Sequence, residues 1–381
     1  MKILNKKKII IIIAVVLVVG LALAALFIPI NPSSDKPAMT IACISDPHHE
    51  YGVQDTDSHT RPSSETGVEL IKELTGGVDL VLLGGDITGR NGNWNDNTIK
   101  STIDASVSLF SSASKKDKIL IATGNHDPEP TVHTATDSIN SNDYSEYIKN
   151  SLGNYKNALY SEDIDDEFKS SFNELLCYRY DINGMVFLGL NTPYGDRRDV
   201  KQTGYNGLYI DQVEWLEKEL SSIGHEKTVF ILCHYNVDSL YTVEVATTKV
   251  DTSEENASRV LLKELLSEYE NAVYCYGHVH QAKNQALEKT IEQIKPICED
   301  GATLCYMGSF GYYNDHFGGP LGETDPPVVQ TTLINVYADR IEFSMVNVGS
   351  VEAYGGKYEI EPYVLKRETG IKTTLFNKIF G

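Results

Sequence analysis

The sequence predicts an α/β domain in which two β-sheets pack face to face, and two features of its patterning carry that expectation. Up to about residue 300, short apolar runs alternate with amphipathic stretches, the mark of strands and helices in alternation. Beyond that point the pattern turns to strands alone, at residues 303–307, 330–336 and 340–346, with a turn at Ala338-Asp339. A β-rich second half after an αβ first half implies two stacked sheets. The 41% hydrophobic and 23% charged residues of the 381-residue chain are those of an ordinary globular protein.

Residues 1–31 stand apart from the domain. Lys2, Lys6, Lys7 and Lys8 precede an apolar run over residues 9–30, broken only by Gly20 and Pro29. That run reaches the roughly 20 residues a helix needs to cross a bilayer. Lysines before it, and no basic cluster directly after it, place the N-terminus in the cytoplasm and the remainder outside. The expected product is a single-pass cell-membrane protein with an extracytoplasmic domain. The alternative is a secreted protein, because Ala22-Leu23-Ala24 has the small-x-small form of a signal-peptidase site. Signal-peptide apolar regions run to about 7–15 residues, shorter than this one. Residues 32–38 read as a linker, 39–350 as the main domain and 351–381 as a C-terminal tail packing on it.

Within the domain, strand candidates fall at residues 40–45, 79–83, 118–122, 228–233 and 272–276. A hairpin joins 176–181 to 185–190 through Asn183-Gly184, a dipeptide suited to a tight turn. Val68, Leu70, Ile71 and Leu74 recur near helical period before Gly76-Gly77. Asp211 with Glu214 has the form of a cap for a helix carrying Val213, Trp215, Leu216 and Leu220. Ser253 is placed to cap another through Val260 and Leu266. Residues 140–166 are polar and unpatterned and read as a surface insertion. Of six cysteines, Cys43, Cys233 and Cys275 sit in apolar runs as small buried hydrophobes. Cys298 and Cys305 flank a short loop, a spacing compatible with a disulfide outside the cell.

The informative polar residues all follow strand candidates. Asp46-Pro47-His48 follows the first, Gly85-Asp86 the second and Gly124-Asn125-His126-Asp127 the third; His234 and Gly277-His278-Val279-His280 follow the next two. In an open α/β sheet the carboxyl ends of the strands form one edge, where ligands bind. Five segments therefore deliver seven imidazole, carboxylate and amide donors to one place. Without a thiolate, such a set suits Mn, Fe or Zn. Seven donors exceed what one tetrahedral zinc takes and suffice for two divalent ions sharing a carboxylate. Two ions roughly 3.5–4 Å apart can clamp the attacking and leaving oxygens of an in-line displacement at phosphorus, with a bridging hydroxide as nucleophile. A net charge of −20 and a pI near 4.9 argue against nucleic acid as the partner.

This order of blocks (D-x-H, G-D, G-N-H-D, a His after a strand, G-H-x-H) resembles that of the calcineurin-like metallophosphoesterases over roughly residues 40–350. The resemblance implies a sandwich of two mixed β-sheets flanked by helices. It further implies Asp46, His48 and His280 as ligands of a first metal, Asp86 as the bridge, and Asn125, His234 and His278 as ligands of a second. His126 then binds phosphate and protonates the leaving oxygen, with Asp127 orienting its ring. Gly89 stands where purple acid phosphatases carry a tyrosine ligand, so a purple iron site is not expected. Tyr235-Asn236 replaces the His-Pro of many relatives. Arg90 is a candidate contact for substrate phosphate, with a solvated loop arginine as the alternative. His49, His59, His133, His225 and His316 belong to no motif and read as surface or structural residues.

The expected function is metal-dependent hydrolysis of a phosphate mono- or diester outside the cytoplasmic membrane. The expected partners are a phosphate ester and the membrane, with no protein partner. The competing reading is a non-catalytic metal-binding or sensor domain of the same fold at the membrane surface.

Overall fold

A computed structural model describes residues 36–49, 60–87, 96–124, 127, 177–191, 208, 210–237, 252–279, 294–310, 330–348 and 363–366. The apolar run at 9–30, Arg90, Asn125, His126, the stretch 140–166, His280 and most of the tail lie outside the described residues. Among the described residues no helix is long and apolar enough to cross a membrane.

The first part of the domain runs β1 (Met39–Ile44), α1 (Thr60–Thr75), β2 (Leu80–Leu83), α2 (Asp96–Ser111), β3 (Ile119–Ile121), β4 (Cys177–Ile182) and β5 (Met185–Leu190). It continues with α3 (Ile210–Ile223), β6 (Val229–Cys233), α4 (Thr252–Ser267), β7 (Ala272–Tyr276), β8 (Ile294–Pro296) and β9 (Thr303–Tyr306). The last strands are β10 (Gln330–Val336), β11 (Arg340–Asn347) and β12 (Tyr363–Lys366). One mixed sheet has the order β12-β11-β10-β1-β2-β3 and the other β4-β5-β6-β7-β9-β8. Strands β1, β2 and β3 are parallel, as are β5, β6, β7 and β9, so each sheet gathers several carboxyl ends along one edge.

Continuous apolar runs arise because the central strands are buried on both faces. Met39, Ile41 and Cys43 of β1 point into the core between the sheets, with Phe187, Phe230, Val273 and Cys275. Ala42 and Ile44 point the other way and join Ile71, Val107 and Phe110 of the two helices over that sheet. Val186, Leu188, Val229 and Ile231 of the second sheet meet Leu216, Leu220, Leu262 and Leu266 of α3 and α4. The layers are therefore helix, sheet, sheet, helix. Each fully buried Leu, Ile or Phe contributes about 1.5–3 kcal/mol, so the polar loops leave the best-fixed part of the molecule.

The hairpin turns as expected, with φ of 52° at Asn183 and 80° at Gly184, the left-handed pair that a two-residue turn demands. Asp211 lies inside the first turn of α3 and not ahead of it. Three elements had no expectation behind them: α2, the three-residue β8, and β12, which adds an edge strand from within the tail. The disulfide between Cys298 and Cys305 does not form. Both are free: Cys305 faces the inter-sheet core beside Cys275, its register partner, while Cys298 is exposed beyond the β8 end.

Candidate metal centre

The loops at the carboxyl ends of β1, β2, β3, β6 and β7 converge, and their backbones are unusual. Six described non-glycine residues have left-handed φ, and four of them are Asp46 (53°), His48 (45°), Asp86 (51°) and His278 (69°). Such conformations cost of order 1–3 kcal/mol each and persist where surrounding structure over-determines them. Here the surroundings do so. Asp46 N–H donates to Gly85 O at 3.0 Å, His48 N–H to Asp86 O at 3.0 Å and His49 N–H to Ile87 O at 2.8 Å. The β1 loop is thereby laced to the β2 loop beyond the end of the sheet.

The carboxylate of Asp46, fully buried, accepts the His278 N–H at 3.2 and 3.0 Å and so ties the first sheet to the second. Close approach needs glycine at two places. A Cβ on Gly277 would lie 1.8 Å from Ser45 Oγ, and one on Gly124 would lie 2.2 Å from Asp86 Oδ1. Asp127, also buried, accepts Ile87 N–H on Oδ1 at 2.6 Å and Gly124 N–H on Oδ2 at 2.7 Å, clasping the β2 and β3 loops together.

His234 shows which ring nitrogen is available. Its Nδ1 donates to Gly84 O at 2.7 Å, which leaves Nε2, 3.2 Å from Asp86 Oδ2, as the nitrogen that an ion could take once its proton is displaced. His48 Nε2 lies 3.7 Å from the same Asp86 Oδ2 and 4.0 Å from Asp46 Oδ1. Two sets of three donors result, Asp46 with His48 and Asp86, and Asp86 with His234 and His278; within each set the ligand atoms lie within 4.8 Å of one another. Asp86 belongs to both. Carboxylate oxygens and imidazole nitrogens, buried except for the half-buried His278, fit divalent metal ions.

The calcineurin-like phosphoesterase family matches residues 39–282, more than half of the chain. The chain belongs to that family. Membership carries the family's general activity, metal-dependent hydrolysis of phosphate esters. No curated protein matches the sequence significantly. Among solved structures, TT1561 of Thermus thermophilus is similar at 12% identity and a TM-score of 0.42, over 81% of this chain and 99% of that one. A single mutant of Vps29 from Entamoeba histolytica is similar at 12% identity and a TM-score of 0.32, over 87% and 100%. A predicted phosphoesterase from Streptococcus pneumoniae TIGR4 gives 9% identity and 0.30, over 86% and 98%.

Of the residues singled out in the sequence, the phosphoesterase brings together Asp46, His48, Asp86, His234 and His278, with Asp127 behind them; Asn125, His126, His280 and Arg90 are outside the described residues. Three further buried side chains support these loops. Tyr235 stands edge-on to both candidate ligand rings, with centroids 5.3 Å from His234 and 5.1 Å from His278. Asn191 Oδ1 accepts Thr123 N–H at 2.9 Å, steadying the β3 end, and its own carbonyl accepts Gln212 Nε2–H at 2.8 Å. Asn191 follows the apolar run of β5, so the strand-end argument applied to the other loops also reaches it. The third support is His49, treated below.

Burial alone would hold the His234 imidazole neutral, but Asp86 and then Asp46 overrule it and raise its pKa from 6.5 to about 9. In the metal-free phosphoesterase a proton thus supplies the positive charge that the carboxylates demand. The raised folded value makes this stabilisation complete below the ordinary pKa of 6.5 and lost as pH climbs through about 9. Metal-free protein should therefore lose thermal stability between those limits, whereas added Mn²⁺ should restore more at the alkaline end. A divalent ion must displace that proton, so its affinity should rise by up to about tenfold per pH unit over this window. Calorimetric titration in buffers of different ionisation enthalpy reads the proton released; none released at pH 7.5 would remove the basis of this expectation.

Proposed function

We propose that this phosphoesterase uses two divalent ions, drawn from Mn, Fe and Zn, to hydrolyse a phosphate mono- or diester outside the cytoplasmic membrane. The observation that carries the reading is the sharing of Asp86 between two donor sets. Asp46 and His48 with Asp86 hold one ion, and His234 and His278 with Asp86 hold the other; His280 and Asn125 complete the two sets. Bound there, the ions supply Lewis acidity at phosphorus and a water acidified enough to attack at neutral pH. The chain supplies the rest. Burial of Asp46, Asp86 and His234 excludes bulk water from the donors. His126 contacts the phosphoryl group and delivers a proton to the leaving oxygen. Asp127 holds the loop carrying His126 against the Asp86 loop. Arg90 is a further contact for the phosphate.

The test is turnover of p-nitrophenyl phosphate and of its bis-ester by the full-length protein in detergent, stripped of metal and resupplied with Mn²⁺. Hydrolysis that appears only with the ion is expected. Metal binding with no turnover on either ester, nor on a panel of nucleotides and phospholipid esters, would favour the non-catalytic alternative.

The apolar run at residues 9–30 behind four lysines supports a single-pass anchor with the catalytic domain outside. Protease added to intact spheroplasts should then degrade the domain. Protection until lysis would reverse the orientation, and a mature N-terminus near Ala25 would make the protein a secreted one.

A further inference from the structure

His49 lies next to a candidate ligand, yet its ring is turned away from the centre and fully buried between the two helices that cover the first sheet. Its Nδ1 is 2.7 Å from Ser106 Oγ of α2, and its Nε2 is 2.9 Å from Ser64 Oγ of α1. Ser106 commits its own hydroxyl proton to Thr102 O at 2.8 Å. Its oxygen must therefore accept from His49, which places the ring proton on Nδ1. In the neutral ring, Nε2 then accepts from the Ser64 hydroxyl.

The ring also stacks on Phe110 of α2, with centroids 5.3 Å apart and planes at 20°. Phe110 meets Phe310 edge-on at 5.4 Å, and the Phe310 N–H donates to Ser45 O at 2.9 Å. This chain of contacts leaves the β1 loop at His49 and returns to it at Ser45. It encloses Asp46 and His48, the two left-handed residues of that loop.

We infer that His49 is the positioning residue of the Asp46–His48 ligand pair, bolting their strained loop to both covering helices. A left-handed loop relaxes unless both ends are held. The backbone bonds to Gly85, Asp86 and Ile87 hold its flank, and the His49 ring holds its far end. Hydrogen-bonded groups behind a metal ligand commonly change affinity by about 10–100-fold when removed. The effect here should fall more heavily on the Asp46–His48 ion than on the other, because His234 leaves from the other sheet with its ring held by Gly84 O, and of His278 only the backbone N–H leans on Asp46.

The inference rests on the two-ion reading, and one experiment separates them. Metal-free full-length protein in detergent is titrated with Mn²⁺, and electron paramagnetic resonance distinguishes isolated from paired ions. Unmodified protein should take up two ions that pair. His49→Phe keeps the ring stack but takes the acceptor from the Ser64 hydroxyl and the donor from the Ser106 oxygen, which keeps its bond to Thr102 O. The variant should bind the Asp46–His48 ion on the order of 10–100-fold more weakly and the other distinctly less so, so that isolated ions persist where the unmodified protein pairs them. Ser106→Ala should shift the same step in the same direction, and it decides the matter if His49→Phe does not fold. His49→Asn, whose amide nitrogen overlies Nδ1 and still donates to Ser106, should recover part of the loss. Both affinities unchanged with only the melting temperature lowered, or both weakened equally, would overturn the positioning role. Fewer than two ions in the unmodified protein would overturn the two-ion reading first, and this inference with it.

Discussion

Asp86→Asn should fold, lose both ions together and lose almost all activity. Asp86 is buried, with Oδ2 3.2 Å from His234 Nε2 and 3.7 Å from His48 Nε2, and it alone belongs to both donor sets. Asparagine keeps the volume but removes the charge, and it replaces one acceptor oxygen by a donor. Whichever way the amide turns, its NH₂ faces an ion position or the Gly124 backbone packed against Oδ1. The backbone carbonyl that accepts from His48 N–H is untouched, so the loop itself should survive. With both ions gone, the greater part of an acceleration of about 10⁶-fold or more should go too. Asn125→Ala or His278→Ala should instead weaken chiefly one ion. Elemental analysis of purified variants reads the outcome directly. Two equivalents of metal retained in Asp86→Asn would refute the bridging role.

Much of this centre could be read from the chain because two physical signals coincide. Strands buried on both faces write themselves as unbroken apolar runs, as at Leu80–Leu83 and Val229–Cys233. Polar side chains directly after such runs are then conspicuous, which is how Asp46, Asp86 and His234 stood out. Supports made across the sequence leave no such trace. His49 depends on Ser64, fifteen residues away, and on Ser106, fifty-seven away, and neither serine is distinctive. Helix α2 escaped notice although Ile99, Ile103, Val107 and Phe110 recur at helical spacing, because the serines and threonines between them dilute the apolar stripe. Strand β8 is three residues long and ends on a proline, too short for a period to register. The left-handed φ at Asp46, His48, Asp86 and His278 belongs to tertiary structure, since nothing in Asp or His requires it. The cysteine pair, whose spacing leaves a disulfide open, is decided by the same kind of contact. Cys298 and Cys305 are close in sequence, but strand direction turns one into the core and leaves the other outside.

His126→Ala should retain both ions and still lose on the order of 10²–10⁴-fold in rate on esters with poor leaving groups, the usual contribution of a positioned acid. On p-nitrophenyl esters, whose leaving group departs without a proton, the loss should be clearly smaller. Asp127 makes a sharp contrast. Its two carboxylate oxygens accept N–H groups from Ile87 and Gly124, at 2.6 and 2.7 Å. Asp127→Asn must set an NH₂ against one of those donors in a buried place, a mismatch worth about 1–3 kcal/mol. The loops carrying Asp86 and Asn125 should then part slightly. Asp127→Asn is therefore expected to slow both classes of ester alike and to weaken metal binding, beyond any effect on the orientation of the His126 ring. Plotting rate against leaving-group pKa for the two variants separates the roles: steeper for His126→Ala, parallel to the unmodified enzyme but lower for Asp127→Asn. A uniform loss in His126→Ala with metals retained would reduce that residue to a phosphate contact, and a lost ion would make it a ligand. A steepened plot in Asp127→Asn with metal affinity unchanged would mean that the carboxylate acts on the His126 ring and not as a clasp between loops.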